Sequence, residues 1–196
     1  AENNWIVANC SNAGNYFHLL RRQAKMLGTD AVRPLVVATP KSLLRHPLAA
    51  ATLEQLSEGK FEEVIEQPGL GQNPEKVERI ILASGKVTID LAEAVKDGEG
   101  FDKLHIIRVE QLYPFPMAQI KEIIARYPNA KEIVWVQEEP KNQGPWRFVL
   151  EYLLELAEGK KVRYVGRPEM SSTSEGDTDS HKVAQAKVIS EALADL

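Results

Sequence analysis

Arg79-Ile-Ile-Leu-Ala-Ser-Gly-Lys-Val-Thr-Ile-Asp-Leu-Ala-Glu-Ala-Val-Lys96 holds the change of period that decides the fold. Ile80, Ile81 and Leu82 follow one another without a polar break, as in a strand covered on both faces, so residues 79–84 are predicted as a strand. Gly85 and Lys86 form the turn after it. From Val87 onward Ile89, Leu91, Ala92 and Val95 recur at helical spacing, which predicts a helix over 87–96. The alternation continues downstream with strand 104–109, helix 116–127 opened by a proline, strand 131–137, helix 145–158, strand 162–165 and a closing helix 180–196. This β-α-β-α-β-α-β order predicts an α/β fold, a mostly parallel sheet with helices on both faces.

Upstream, residues 5–8 read as a strand and 9–14 as a turn with capping residues in Ser11 and Asn12. A helix over 16–26 is expected to turn Phe17, Leu20 and Ala24 to one face, and residues 35–38 read as a buried strand. This β-α-β resembles the end of a separate, similar sheet. Pro40, Pro47, Pro68 and Pro74 break the segment between the two blocks, which predicts a connector draped over a surface, with a short helix near 52–57. Leu43, Leu44, Leu48, Phe61 and Ile65 are its expected buried residues.

The chain has 196 residues, 43% hydrophobic and 27% charged, which is ordinary globular composition. A net charge of −4 and a pI near 5.7 argue against a nucleic-acid binder. Cys10 is the single cysteine, so no internal disulfide forms, and a reducing cytoplasm is the expected compartment. No apolar run is long enough to cross a membrane. The start, Ala1-Glu-Asn-Asn-Trp5, carries no signal-peptide pattern and no initiator Met, as expected of a processed or excised piece.

The segment Thr39-Pro-Lys41-Ser-Leu-Leu-Arg45-His46 sets two cations and two hydroxyls at a strand's carboxyl end, a set suited to phosphate or carboxylate. A solvated connector with an internal ion pair is the alternative. Ser84-Gly85-Lys86 precedes a helix and has the same anion-binding character, without Walker-loop spacing. His18 and His46 lack a carboxylate or serine at telling spacing and read as structural or surface residues. Glu138 and Glu139 are adjacent at a strand end and should diverge, which excludes a catalytic carboxylate pair and suits contacts to backbone amides or a basic partner. Trp135 and Trp146 read as core and interface anchors, and Cys10 as an unreactive thiol.

Asn15-Tyr-Phe-His-Leu-Leu-Arg-Arg-Gln23, Arg33-Pro-Leu-Val-Val37, Pro40-Lys-Ser-Leu-Leu-Arg-His-Pro-Leu48, Ser84-Gly-Lys86, Arg108-Val-Glu-Gln-Leu-Tyr-Pro-Phe-Pro116 and Gln137-Glu-Glu-Pro-Lys-Asn-Gln-Gly144 stand in one order along the chain. Together they resemble the C-terminal end of the thiamine-diphosphate-dependent decarboxylase subunit of 2-oxoglutarate dehydrogenase. The resemblance implies the last β-α-β of a pyrimidine-binding domain over 1–39, a connector over 40–76 and a transketolase C-terminal-like domain over 77–196. It implies thiamine diphosphate and Mg²⁺ in the full enzyme, held by domains outside this chain, so the chain alone is expected to be catalytically silent. The implied partners are the rest of the subunit, a second subunit in a homodimer and the lipoyl acyltransferase component. The resemblance also implies an effector site for acetyl-CoA or a nucleotide such as AMP. Its candidate residues are Arg22, Thr39, Lys41, Arg45, Ser84 and Lys86, with Lys141 and Arg147 nearby. The acidic stretch Glu175-Gly-Asp-Thr-Asp179 departs from the family pattern and weighs against an anion approaching from that side. The contrasting reading is a free-standing α/β module that holds a nucleotide-like anion without chemistry.

Overall fold

The computed structural model describes residues 2–96 and 100–195. Ala1, residues 97–99 and Leu196, the last residue of the expected closing helix, lie outside that set. The sheet that the opening motif predicts has five strands. They are β3 (Val64–Glu66), β4 (Arg79–Ala83), β5 (Leu104–Val109), β7 (Glu132–Val136) and β8 (Lys161–Val165), in the order β3-β5-β4-β7-β8. β5, β4, β7 and β8 are parallel, and β3 runs antiparallel along the β5 edge.

Helices α3 (Lys86–Ala94) and α6 (Thr178–Leu193) pack on one face against Ile81, Ile106, Val134 and Val136. Helices α4 (Met117–Ala125) and α5 (Trp146–Ala157) pack on the other against Ile80, Leu82, Ile107 and Trp135. Every residue of β4 and β5 is therefore buried, and their centres, Ile80-Ile-Leu-Ala83 and Ile106-Ile107, are apolar. Trp135 is fully buried in the α4–α5 layer, where truncation to alanine would cost about 3–5 kcal/mol.

A second, three-stranded sheet has the order β2-β1-β6. β1 (Ile6–Ala8) and β2 (Leu35–Val37) are the parallel pair flanking α1 (Ala13–Met26). β6 (Gln111–Tyr113) comes from the downstream block and pairs antiparallel with β1, so the two sheets are joined by chain crossing from one to the other.

Several expectations are corrected. β2 is an edge strand with Val36 exposed, not a buried one. The connector contains α2 (Leu53–Ser57), opened by a Thr52–Gln55 capping box, and it also supplies the unpredicted β3. Leu44 and Leu48 are exposed, on the 3-10 turns Lys41–Arg45 and Pro47–Ala49, where only Ala49 is buried. The largest correction concerns α1. Its buried residues are Gly14, Asn15, His18 and Leu19, while Phe17, Leu20 and Ala24 face outward. The connector makes this orientation favourable by meeting the polar residues. Asn15 Nδ2 donates to the Glu62 carbonyl at 2.9 Å, His18 Nε2 lies 2.6 Å from the Gln55 carbonyl, and Arg21 donates to the Gly59 carbonyl at 2.9 Å. Asn15 and one nitrogen of His18 thus find partners that offset their burial, while His18 Nδ1 stays buried without one, and the apolar stripe is left outside.

Candidate functional site

The chain runs from β4 to β5 on one side, then back past β4 to β7 on the other. The carboxyl ends of β4 and β7 thus flank the point where the winding reverses, and crevices for ligands form there in open α/β sheets. The loops leaving these two strands are Ser84-Gly85 and the 137–145 segment. Between them and the second sheet lies a cavity of about 460 Å³, floored by Trp135 and walled by Trp5, Tyr113 and Phe148. Asn9, Ser84 and Glu139 also line it.

Gly85 opens α3 with φ +74°, and a Cβ there would overlap the Asn9 side-chain amide from the second sheet. Glycine is required both by the backbone and by this close approach.

Gln137 organises the other loop. Its Oε1 accepts from Trp135 Nε1 at 3.0 Å and from the Trp146 backbone N–H, also at 3.0 Å. Its Nε2 donates to the carbonyls of Glu139, Pro140 and Gln143 at 3.1, 3.2 and 2.9 Å. One buried amide therefore closes the turn and caps the first N–H of α5. Glu138 Oε2 accepts from Gln185 at 3.2 Å, whereas Glu139 faces the cavity. Burial, reinforced by Glu138, pushes the Glu139 carboxyl above its ordinary value.

Arg167, 3% exposed, ties the acidic loop down. It contacts both oxygens of Glu175 at 2.7 and 3.0 Å and donates to the Glu138 carbonyl at 2.7 Å. The guanidinium holds the Glu175 carboxyl at about 2. Glu175 is thus a structural anchor within the loop that departs from the family pattern.

The candidate anion-binding residues fall into two groups. Thr39 and Arg45 share a groove of about 430 Å³ with Cys10, Tyr16 and His46, beside the start of α1. Lys41 sits on the same 3-10 turn as Arg45, both are exposed, and neither makes an ion pair among the described residues. The rest lie elsewhere and are engaged. Arg22 pairs with Glu63 at 3.2 Å and lies over the Phe61 ring at 4.2 Å. Lys86 pairs with Asp90, and Arg147 reaches Glu169 at 3.4 Å. Lys141 lies 5.6 Å over the Tyr164 ring, and Ser84 Oγ donates to the Val109 carbonyl at 2.7 Å in the switch-point cavity.

Beneath α1 lies a polar centre that no sequence pattern indicated. Glu110, fully buried, accepts from the Ser11 N–H and Asn15 Nδ2, each at 2.9 Å, and Arg108 Nη1 reaches Ser11 Oγ at 3.3 Å. Burial pushes the Glu110 carboxyl up. Burial followed by Glu110 pushes the Cys10 thiol up to about 12, which removes thiolate reactivity at neutral pH. His18 and His46 have structural roles, the latter accepting from the Leu48 N–H at 3.3 Å.

Among the described residues no group of three or more His, Cys, Asp or Glu converges to hold a metal ion. No helix among them is long and apolar enough to cross a membrane.

Fold and crevice together define an α/β unit with a switch-point cavity, joined to part of a second sheet. The family profile described as "2-oxoglutarate dehydrogenase C-terminal" matches residues 50–193, and the chain belongs to this family. It is 55% identical over 195 residues to the 2-oxoglutarate dehydrogenase E1 component of an Exiguobacterium species, covering 98% of this chain and 20% of that protein. The E1 components of Bacillus cereus strain AH187 and of Bacillus anthracis are each 54% identical over 197 residues, covering 98% of this chain and 21% of theirs. The chain spans about a fifth of the length of the curated relatives it matches.

Proposed function

We propose that this chain is the C-terminal portion of a 2-oxoglutarate dehydrogenase E1 subunit, acting as its dimerising and regulatory end. In this reading the whole subunit is a cytoplasmic, thiamine-diphosphate-dependent oxidoreductase that decarboxylates 2-oxoglutarate and succinylates the lipoyl group of an acyltransferase partner. The observation that carries the reading is identity above 50% along nearly the whole chain to proteins bearing that name. Residues 1–39 are read as the end of a pyrimidine-binding domain, 40–76 as a connector and 77–196 as a transketolase C-terminal-like domain. The outward stripe of α1, with Tyr16, Phe17, Leu20 and Leu27 exposed, supports contact with the remainder of the subunit or a second one. When bound in the full enzyme, the cofactor supplies decarboxylation chemistry. The residues of this chain position surfaces around it, and alone they are read as inactive.

The regulatory part of the reading rests on Thr39, Lys41 and Arg45, because these two cations are not engaged by carboxylates. The groove lined by Thr39 and Arg45 would take the phosphate groups of acetyl-CoA or AMP, whereas Arg22, Ser84, Lys86, Lys141 and Arg147 are engaged with other partners. Calorimetric titration with acetyl-CoA tests this. Saturable, salt-sensitive binding that weakens about tenfold in Arg45→Ala is expected, an amount equivalent to one charge-assisted contact of about 1.4 kcal/mol. Equal affinity in wild type and variant would overturn the assignment.

A further inference from the structure

The switch-point cavity differs chemically from the connector groove. Its surface is largely aromatic, with Tyr113 and Phe148 meeting edge to face at 5.9 Å between ring centroids and Trp5 half exposed at the rim. The one charged residue lining it among the described residues is Glu139. Asn9 also lines the cavity, with its Oδ1 buried out of a ligand's reach. Glu139 lines it too and makes no ion pair among the described residues. Gly144, at φ +62°, leaves the space the Glu139 side chain occupies, since a Cβ there would lie 2.9 Å from Glu139 Cβ. The cation that acts on Glu139, Arg167, is bound to Glu175 and the Glu138 carbonyl, and others are turned away: Lys86 to Asp90, Arg147 to Glu169 and Lys141 to the Tyr164 face.

A pocket with aromatic walls and one unpaired carboxylate disfavours phosphate and complements a positively charged donor on a flat apolar body. We propose that this cavity is a second ligand site, for a small aromatic cation: a planar ring bearing an amidinium or ammonium group. The ring lies among Trp5, Tyr113 and Phe148, and the charged donors meet Glu139. This inference is independent of the effector reading, since only Ser84 of the anion-site residues touches the cavity, so either can fail alone.

Benzamidine and benzoate test it, being near-isosteric and opposite in charge and hydrogen-bonding sense. Titrations followed by tryptophan fluorescence and calorimetry on the whole chain should show saturable benzamidine binding, with benzoate at least tenfold weaker. Glu139→Gln, similar in shape and uncharged, should weaken benzamidine at least tenfold. Phe148→Ala, at a partly exposed position that folding tolerates, should weaken it several-fold and serves if the first variant fails to fold. Equal binding of the two probes, no saturable benzamidine binding, or variants that bind like wild type would each overturn the proposal.

Discussion

Replacing Gln137 with leucine removes one amide while keeping much of its volume, so the cavity contribution to the loss is small. Two buried donors then lack an acceptor: the Trp135 indole N–H and the Trp146 backbone N–H, each now 3.0 Å from Gln137 Oε1. An unsatisfied buried group costs about 1–3 kcal/mol, so the pair predicts a loss of about 2–6 kcal/mol. For a chain of this length each kcal/mol lowers the thermal midpoint by about 2–4 °C, giving roughly 8–16 °C at the middle of that range. Gln137→Glu separates the two halves of the amide. It keeps acceptors for both tryptophan N–H groups but offers no donor to the three carbonyls, and it too is expected to destabilise. Urea unfolding followed by tryptophan fluorescence and by circular dichroism measures both variants, and the fluorescence reports directly on Trp135 and Trp146. A Gln137→Leu loss below about 1 kcal/mol would refute the claim that this amide organises the loop.

Glu175, held at about 2 by Arg167, has its folded value below the unfolded one. Its stabilising pairing is therefore complete above the ordinary carboxylate range, about 4–4.5, and is lost as pH falls towards 2. Limited proteolysis of the 168–177 loop should accelerate over that window, and Arg167→Ala should show the faster cleavage already at pH 7. Glu110 has the opposite sign, because burial raises its folded value. Its contribution is present at low pH and declines as pH rises through the folded value, so Glu110→Gln should gain stability relative to wild type between pH 5 and pH 8 in denaturant titrations. Leu20→Glu, on the exposed face of α1, should leave stability within about 0.5 kcal/mol while lowering self-association in sedimentation velocity. A large stability loss there would place Leu20 in the core instead.

The parallel block was legible in the sequence because β4, β5 and β7 are covered on both faces and carry apolar stretches such as Ile80-Ile-Leu-Ala83 and Ile133-Val-Trp-Val136. β3 and β6 were not, each being three residues long and paired through partners far along the chain. The face of α1 was misread for a physical reason. Helical periodicity assumes that apolar residues face the core, yet here Asn15 and His18 turn inward and meet the connector carbonyls of Glu62 and Gln55. At the candidate sites, Thr39, Lys41 and Arg45 could be singled out as cations beside hydroxyls. The Gln137 hub could not, because a lone glutamine announces no partners. The one available signal was the dense Gln137-Glu-Glu-Pro-Lys-Asn-Gln-Gly144 run after an apolar strand. The switch-point cavity was also hidden, since Trp5, Tyr113 and Phe148 are far apart in sequence and meet only once β6 joins β1.

The most direct test of the account is a graft. This chain replaces the corresponding C-terminal segment of the Bacillus cereus E1 component, and 2-oxoglutarate-dependent ferricyanide reduction is measured with thiamine diphosphate and Mg²⁺. The account predicts turnover by the graft, and none by the isolated chain or by the Bacillus cereus subunit cut before that segment. A folded graft without turnover, or turnover by the isolated chain, would contradict it.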